Sequence, residues 1–220
     1  MSDPFGGFFW VFVQRKLLTG TSRFTDQIEK IIGMGIESRR KGRPQKEAED
    51  MKNKSVPFFS LKNKSVPFFS FYPGSGHLHE VGAGFGEGYT INVPLPETAG
   101  DIAFEKAFRE ILLPAAEYFE PDLVLVSAGF DPHHNDMAMN LSYDGFKVLT
   151  SIVQGIADQY CDGRLVLVLE GGYNLTSLSR GGHAVLEVLA GGDAPELQEC
   201  GVKEVTEAAE FHRSAFTRDE

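Results

Sequence analysis

A carboxylate and two imidazoles fall within four residues in SAGFDPHHNDM, residues 127–137: Asp131, His133 and His134. Carboxylate oxygen and imidazole nitrogen are donors that zinc accepts. The apolar run Leu123-Val124-Leu125-Val126 leads into this stretch, and Gly129 lets the chain turn just before Asp131. A second run, RLVLVLE, ends at Glu170 and is followed by Gly171, Gly172 and Tyr173. A phenol placed there can donate to an oxyanion as it develops. Each residue also has a plainer reading. Asp131 is a residue type that turns and caps favour. The two histidines suit an exposed polar loop, which is the reading their local sequence favours.

The elements that would carry these residues can be read from the pattern around them. LVLVS at 123–127 and LVLVL at 165–169 are continuous apolar runs rather than alternating ones. Such runs mark strands covered on both faces, as in a parallel sheet with helical crossovers. Between them, Phe146, Leu149, Ile152, Val153 and Ile156 recur at helical spacing, and Ser142 stands where an N-cap belongs. A further helix is expected from about Thr176 to Leu189. FEKAFREILLPAAEYF, 104–119, reads as a preceding helix broken near Pro114. In open parallel sheets, ligands bind beyond the carboxyl ends of the strands. Asp131 and Tyr173 follow two such ends on successive strands, so their loops should be neighbours.

The chain has 220 residues and a formal net charge of -10. That length suits one domain with a real core, or a small domain with an appendage. Its two cysteines, Cys161 and Cys200, form no CxxC, which speaks against a thiolate zinc site and a disulfide scaffold. The expectation is a reducing compartment: cytoplasm, or nucleus in a eukaryote. No apolar run is long enough to span a bilayer, so no membrane partner is expected. Charge divides the chain unevenly. Residues 1–70 hold 13 of the 21 Lys and Arg but 7 of the 31 Asp and Glu. We therefore expect a basic, poorly packed and unrelated segment at 1–50, although Phe8 to Val13 could form a strand. KNKSVPFFS occurs at 52–60 and again at 62–70, so 51–70 reads as a duplicated junction. Its proline allows at most an edge strand in one copy, with the other extruded as loop. SRRKGRPQK, 38–46, is similar in its KGRP core to minor-groove-binding segments. A solvated linker is the favoured reading, and nucleic acid is not an expected partner.

Three stretches resemble one family in order and spacing. They are FYPGSGHLHEVGAGFGEGYTINVPLP (71–96), PDLVLVSAGFDPHHNDMAMNLSYDGF (121–146) and LVLVLEGGYNLTSLSRGGHAVLEVLAG (165–191). The family is the zinc-dependent histone deacetylases, with acetylpolyamine amidohydrolases and acetoin-utilisation proteins. The resemblance covers about residues 62–192, the C-terminal part of the family's catalytic domain. It implies an α/β fold, a three-layer parallel sheet flanked by helices of the arginase/deacetylase type, truncated on its N-terminal side. The partial domain would run over 71–192, with an acidic extension at 193–220. It also implies zinc as cofactor, held in part by Asp131, with Tyr173 as the catalytic donor to the amide carbonyl. Gly129, Gly171 and Gly172 would shape the two loops, and Tyr89 would mark a structural monovalent cation site. The implied substrate is an acetylated amine, acetyl-lysine or acetylpolyamine, hydrolysed by zinc-activated water.

The family's remaining zinc ligands, an Asp-x-His pair, and its histidine base pair lie upstream of FYPGSG. Here the first histidine is His77. Three readings therefore stay open: an active deacetylase, a non-catalytic remnant, or an interaction module with a basic nucleic-acid-contacting segment. The family reading is preferred, with catalysis impaired. A sheet lacking its usual neighbours would also expose an apolar edge, a route to self-association.

Overall fold

The computed structural model describes residues 10–14, 58–63, 77–83, 87–96, 98–136, 139–197 and 202–213. Among them, five strands form one sheet: β1 (Trp10–Gln14), β2 (Phe58–Asn63), β3 (Thr90–Leu95), β4 (Leu123–Ala128) and β5 (Leu165–Leu169). The order across the sheet is β3-β2-β1-β4-β5. The expected parallel pair is present: Val124 lies opposite Leu165 and Ala128 opposite Leu169. β2 and β3 are also parallel, whereas β1 runs antiparallel to β2 and to β4. Four strands thus share one direction, and β1 opposes them from the middle.

Two expectations for the first 70 residues change here. Residues 10–14 do not lie loosely against the body. WVFVQ is β-prone and apolar, and its backbone completes ladders on both sides, from Trp10 opposite Ser127 to Gln14 opposite Leu123. The rest of the basic segment, SRRKGRPQK included, lies outside the described residues. Where the duplicated motif is described, at β2, it is not an edge strand, because β2 has a neighbour on each side; residues 64–70 of the second copy lie outside the described residues. The proline argument fails for a local reason: β2 begins at Phe58, one residue past Pro57, so no ladder position needs the missing N–H. The strand that does contain a proline, Pro94 in β3, is an outer one.

Helices follow the strands. α1 (Asp101–Ala107) leads into a π-helical turn, Phe108–Leu112, and then α2 (Leu113–Phe119). Where a break was expected at Pro114, the helix widens instead. Leu113 donates to the Phe108 carbonyl, five residues back, and Pro114 falls in the first turn of α2. α3 (Tyr143–Tyr160) is the crossover between β4 and β5, and Ser142 caps it by accepting from the Gly145 N–H. Asp101 holds that cap in turn, accepting from the Ser142 N–H at 2.7 Å and its hydroxyl at 2.6 Å. α4 (Leu175–Leu189) packs on α3, and α5 (Lys203–Arg213) packs on β3.

One continuous core joins these pieces. Ile91, Val93 and Leu95 of β3 and Val124, Val126 and Ala128 of β4 meet Phe104, Phe108, Phe146, Leu149 and Ile156 from the helices. Each large side chain so buried contributes roughly 1.5–3 kcal/mol. The outer strand β5 is less covered along its whole length and most exposed at its end: Val168 is 44% and Leu169 60% exposed. Cys161 is buried at the end of α3, its thiol donating to the Pro121 carbonyl at 3.2 Å. Burial pushes that thiol up to about 11, which makes it a packing residue rather than a nucleophile.

Candidate functional site

Asp131 and Tyr173 stand at the carboxyl ends of β4 and β5, on loops that are fastened together. The Ser127 hydroxyl donates to Glu170 at 2.9 Å, the Glu170 N–H to the Ala128 carbonyl at 3.1 Å, and the Phe130 N–H to the Gly171 carbonyl at 2.9 Å. Gly171 and Gly129 are buried beside these bonds. Gly172 has φ of +127°, a conformation that suits glycine, and a Cβ there would press on Phe130 at 3.1 Å. Gly181 of α4 lies still closer to the Phe130 ring. The loop before Asp131 is therefore seated on two glycine backbones.

Asp131 is only 5% exposed, and its Oδ1 has no hydrogen-bond partner. Burial raises its carboxyl from 3.8 to about 7, with Asp136 adding to the rise and a backbone N–H opposing it. Tyr173 is 59% exposed, beyond the Gly172 turn. Tyr89 precedes β3, at the amino end of the sheet, where its ring meets Phe119 edge-on at 6.4 Å. Because β3 and β4 run the same way, Tyr89 is at the opposite end of the sheet from Asp131 and Tyr173.

The two loop histidines separate. His134 is exposed, as the plain reading expected, but His133 is fully buried. Its ring stacks on Tyr143 at 4.2 Å. Its Nδ1 accepts from the Asn135 N–H at 3.1 Å and lies 3.1 Å from the Ser177 hydroxyl. The N–H donor fixes Nδ1 as an acceptor, so the neutral ring carries its proton on Nε2. Burial, and then the neighbouring His134, lower the pKa of His133. It ties the loop to α3 and α4. All six histidines lie among the described residues. His77, His79 and His183 are exposed, and buried His212 binds the Asn92 carbonyl at 3.1 Å. Among the described residues, no three His, Cys, Asp or Glu side chains converge to hold a metal ion.

A family model described as the histone deacetylase domain matches residues 46–189. The chain belongs to the histone deacetylase family. It is 49% identical over 110 residues to histone deacetylase 10, chloroplastic, of Oryza sativa subsp. japonica, an alignment covering 49% of this chain and 25% of that protein. It is 40% identical over 151 residues to histone deacetylase 14, chloroplastic, of Arabidopsis thaliana, covering 68% of this chain and 33% of that one. The crystal structure of the HDA15 HD domain superposes with a TM-score of 0.59 at 32% identity, over 72% of this chain and 42% of that chain. The chain thus spans about a quarter to a third of these curated relatives. The α/β deacetylase fold expected from the motifs is the fold observed.

Reading the sequence missed two members of this histone deacetylase loop pair. Asp136 accepts from the backbone N–H groups of Tyr173, at 2.8 Å, and Asn174, at 2.7 Å. Asn174 caps α4, accepting from Thr176 and Ser177. An asparagine just before an apolar helical run is a recognisable cap signal. Nothing local marks Asp136, whose partners lie 37 and 38 residues away.

Proposed function

We propose that this chain carries the carboxylate and phenol side of a zinc-dependent N-acetyl-amide hydrolase site, and that these 220 residues alone do not catalyse the reaction. Asp131 is one zinc ligand in this reading. Tyr173 donates a hydrogen bond to the carbonyl oxygen of an acetylated amine, acetyl-lysine or acetylpolyamine. The observation that carries the proposal is the buried, unpartnered Oδ1 of Asp131 beside the loop that presents Tyr173. A cation is what that carboxylate lacks.

The same site falls short of a complete centre. A catalytic zinc takes three protein ligands and leaves one position for water. Among the described residues no group of three such ligands converges; the buried polar atoms left without a partner are Asp131 Oδ1 and His133 Nε2. In this loop the His133 Nδ1 already accepts from the Asn135 N–H, which leaves the proton on its unpartnered Nε2 and no free lone pair to act as a base. The described residues therefore do not fit a working zinc centre, and no hydrolytic step follows from them. A structural monovalent cation near Tyr89 belongs to the same reading, by position alone.

The test is turnover by the purified, zinc-supplemented chain on acetyl-lysine peptide and acetylpolyamine. The expected result is no hydrolysis above the blank. Hydrolysis abolished by both Asp131→Ala and Tyr173→Phe would uphold the two assignments and overturn the incompleteness.

A further inference from the structure

We infer that α5 is a pH-sensitive latch over the 77–81 loop, fastened by a neutral His212 and released when that imidazole gains a proton. The inference uses no residue of the proposed zinc site, and α5 lies beyond the histone deacetylase domain at 46–189. Val205 and Ala208 seat the helix in the core, and its last buried residue, His212, is 3% exposed. The His212 Nε2 lies 3.1 Å from the Asn92 carbonyl, 120 residues away in sequence. A carbonyl can only accept, so the ring proton is on Nε2 and Nδ1 carries the lone pair.

Asn92 turns this contact into a latch. It is 2% exposed, and its side-chain amide donates to the carbonyls of His77, at 3.1 Å, and Glu80, at 2.9 Å. One buried residue of β3 thus holds α5 with its backbone and the loop with its side chain. A second contact joins the same two pieces directly, since the Phe211 ring meets His79 edge-on at 4.8 Å. Docked α5 keeps water from Asn92. Once the helix lifts, water competes for the bonds that Asn92 makes to the loop.

A proton on Nδ1 would place a cation at this buried position, and among the described residues no carboxylate balances it. β3 carries no ionisable side chain. On the π-helical turn and α1, which also pack on α5, Arg109 pairs with Glu105, Lys106 pairs with Glu110, and Asp101 accepts from Ser142. On α5 itself Lys203 pairs with Glu207, and Glu204, Glu210 and Arg213 are the other charges. The loop adds His77, His79 and Glu80. None of these acts on His212: burial holds the imidazole below its ordinary 6.5, opposed only by the Asn92 carbonyl. The released helix therefore binds the proton more tightly than the docked one. Docking is complete above about pH 6.5 and weakens as pH falls below it.

Amide hydrogen exchange of the full chain, followed by mass spectrometry and corrected for the intrinsic effect of pH, measures the latch. Between about pH 7.5 and about pH 5.5, opening of 203–213 should rise by up to about tenfold per pH unit below 6.5. Glu80 and Val81, whose N–H groups bond within the loop, should open with it. Exchange in β4 should not change. His212→Gln keeps an N–H donor and cannot titrate, so it should remove the pH dependence. If that variant does not fold, the His212 imidazole NMR signal of the unaltered chain serves instead, and it should titrate in step with the opening of α5. An α5 that opens equally in His212→Gln, opens while His212 stays neutral, opens only together with β4, or stays closed at about pH 5.5 would overturn the inference.

Discussion

Adding one methyl group at Gly181 should damage the site's support, while adding one at Gly182 should not. Both glycines lie inside α4, so alanine at either gains about 1 kcal/mol of helix propensity. Their surroundings differ. A Cβ at Gly182 meets nothing within 4 Å. A Cβ at Gly181 would overlap the Phe130 ring, with Cε1 only 2.9 Å away. The ring cannot readily give way. It is 4% exposed, lies 5.0 Å from Phe146 and backs onto Gly172. Overpacking of this kind costs about 1–3 kcal/mol, and the backbone shift it forces falls next to Asp131. Gly181→Ala should therefore lose about 1 kcal/mol net, and Gly182→Ala should gain up to about 1 kcal/mol. Urea denaturation of both variants, compared by midpoint at constant slope, gives the answer. A Gly181→Ala variant as stable as Gly182→Ala would refute the claim that α4 and the loop are fitted backbone to ring.

Two further outcomes follow from the loop and the sheet. In metal-free buffer, Asp131 binds its proton more tightly folded than unfolded, so stability should fall as pH rises from about 4 to about 7 and then level off. At roughly 1.4 kcal/mol per tenfold change in proton affinity, the rise from 3.8 to about 7 bounds the loss at about 4 kcal/mol. Asp131→Asn should abolish this slope, and a slope unchanged by the substitution would contradict it. The second concerns β5, an outer strand whose Val168 and Leu169 are exposed. We expect self-association through this edge, weakened by Val168→Lys, and a monomer in sedimentation at high concentration would count against it.

The parts of the fold legible in the sequence are those set by local pattern. β4 and β5 were readable because continuous apolar runs end at glycine-bearing turns, and α3 because its apolar stripe begins behind a serine cap. What was not legible depends on partners distant in sequence. Nothing within WVFVQ says that it pairs with residues 58–60 and 123–127. The charge contrast that set the first 50 residues apart bears on solubility and partners, not on backbone pairing. At Pro114 the local rule was sound, but widening the preceding turn accommodated the proline without ending the helix. The site shows the same division. The motifs pointed to Asp131 and Tyr173, whereas Asp136 and the burial of His133 emerge only when the two loops are brought together.

The central claim is that this chain holds one corner of a zinc site and not the whole. Titrating purified chain with zinc against a chromophoric chelator, in parallel with Asp131→Ala, measures this directly. The account predicts that the chelator takes the zinc from both proteins alike, because among the described residues no three ligands converge on one ion and a smaller set binds it weakly. One zinc held per chain against the chelator, and released on Asp131→Ala, would contradict it.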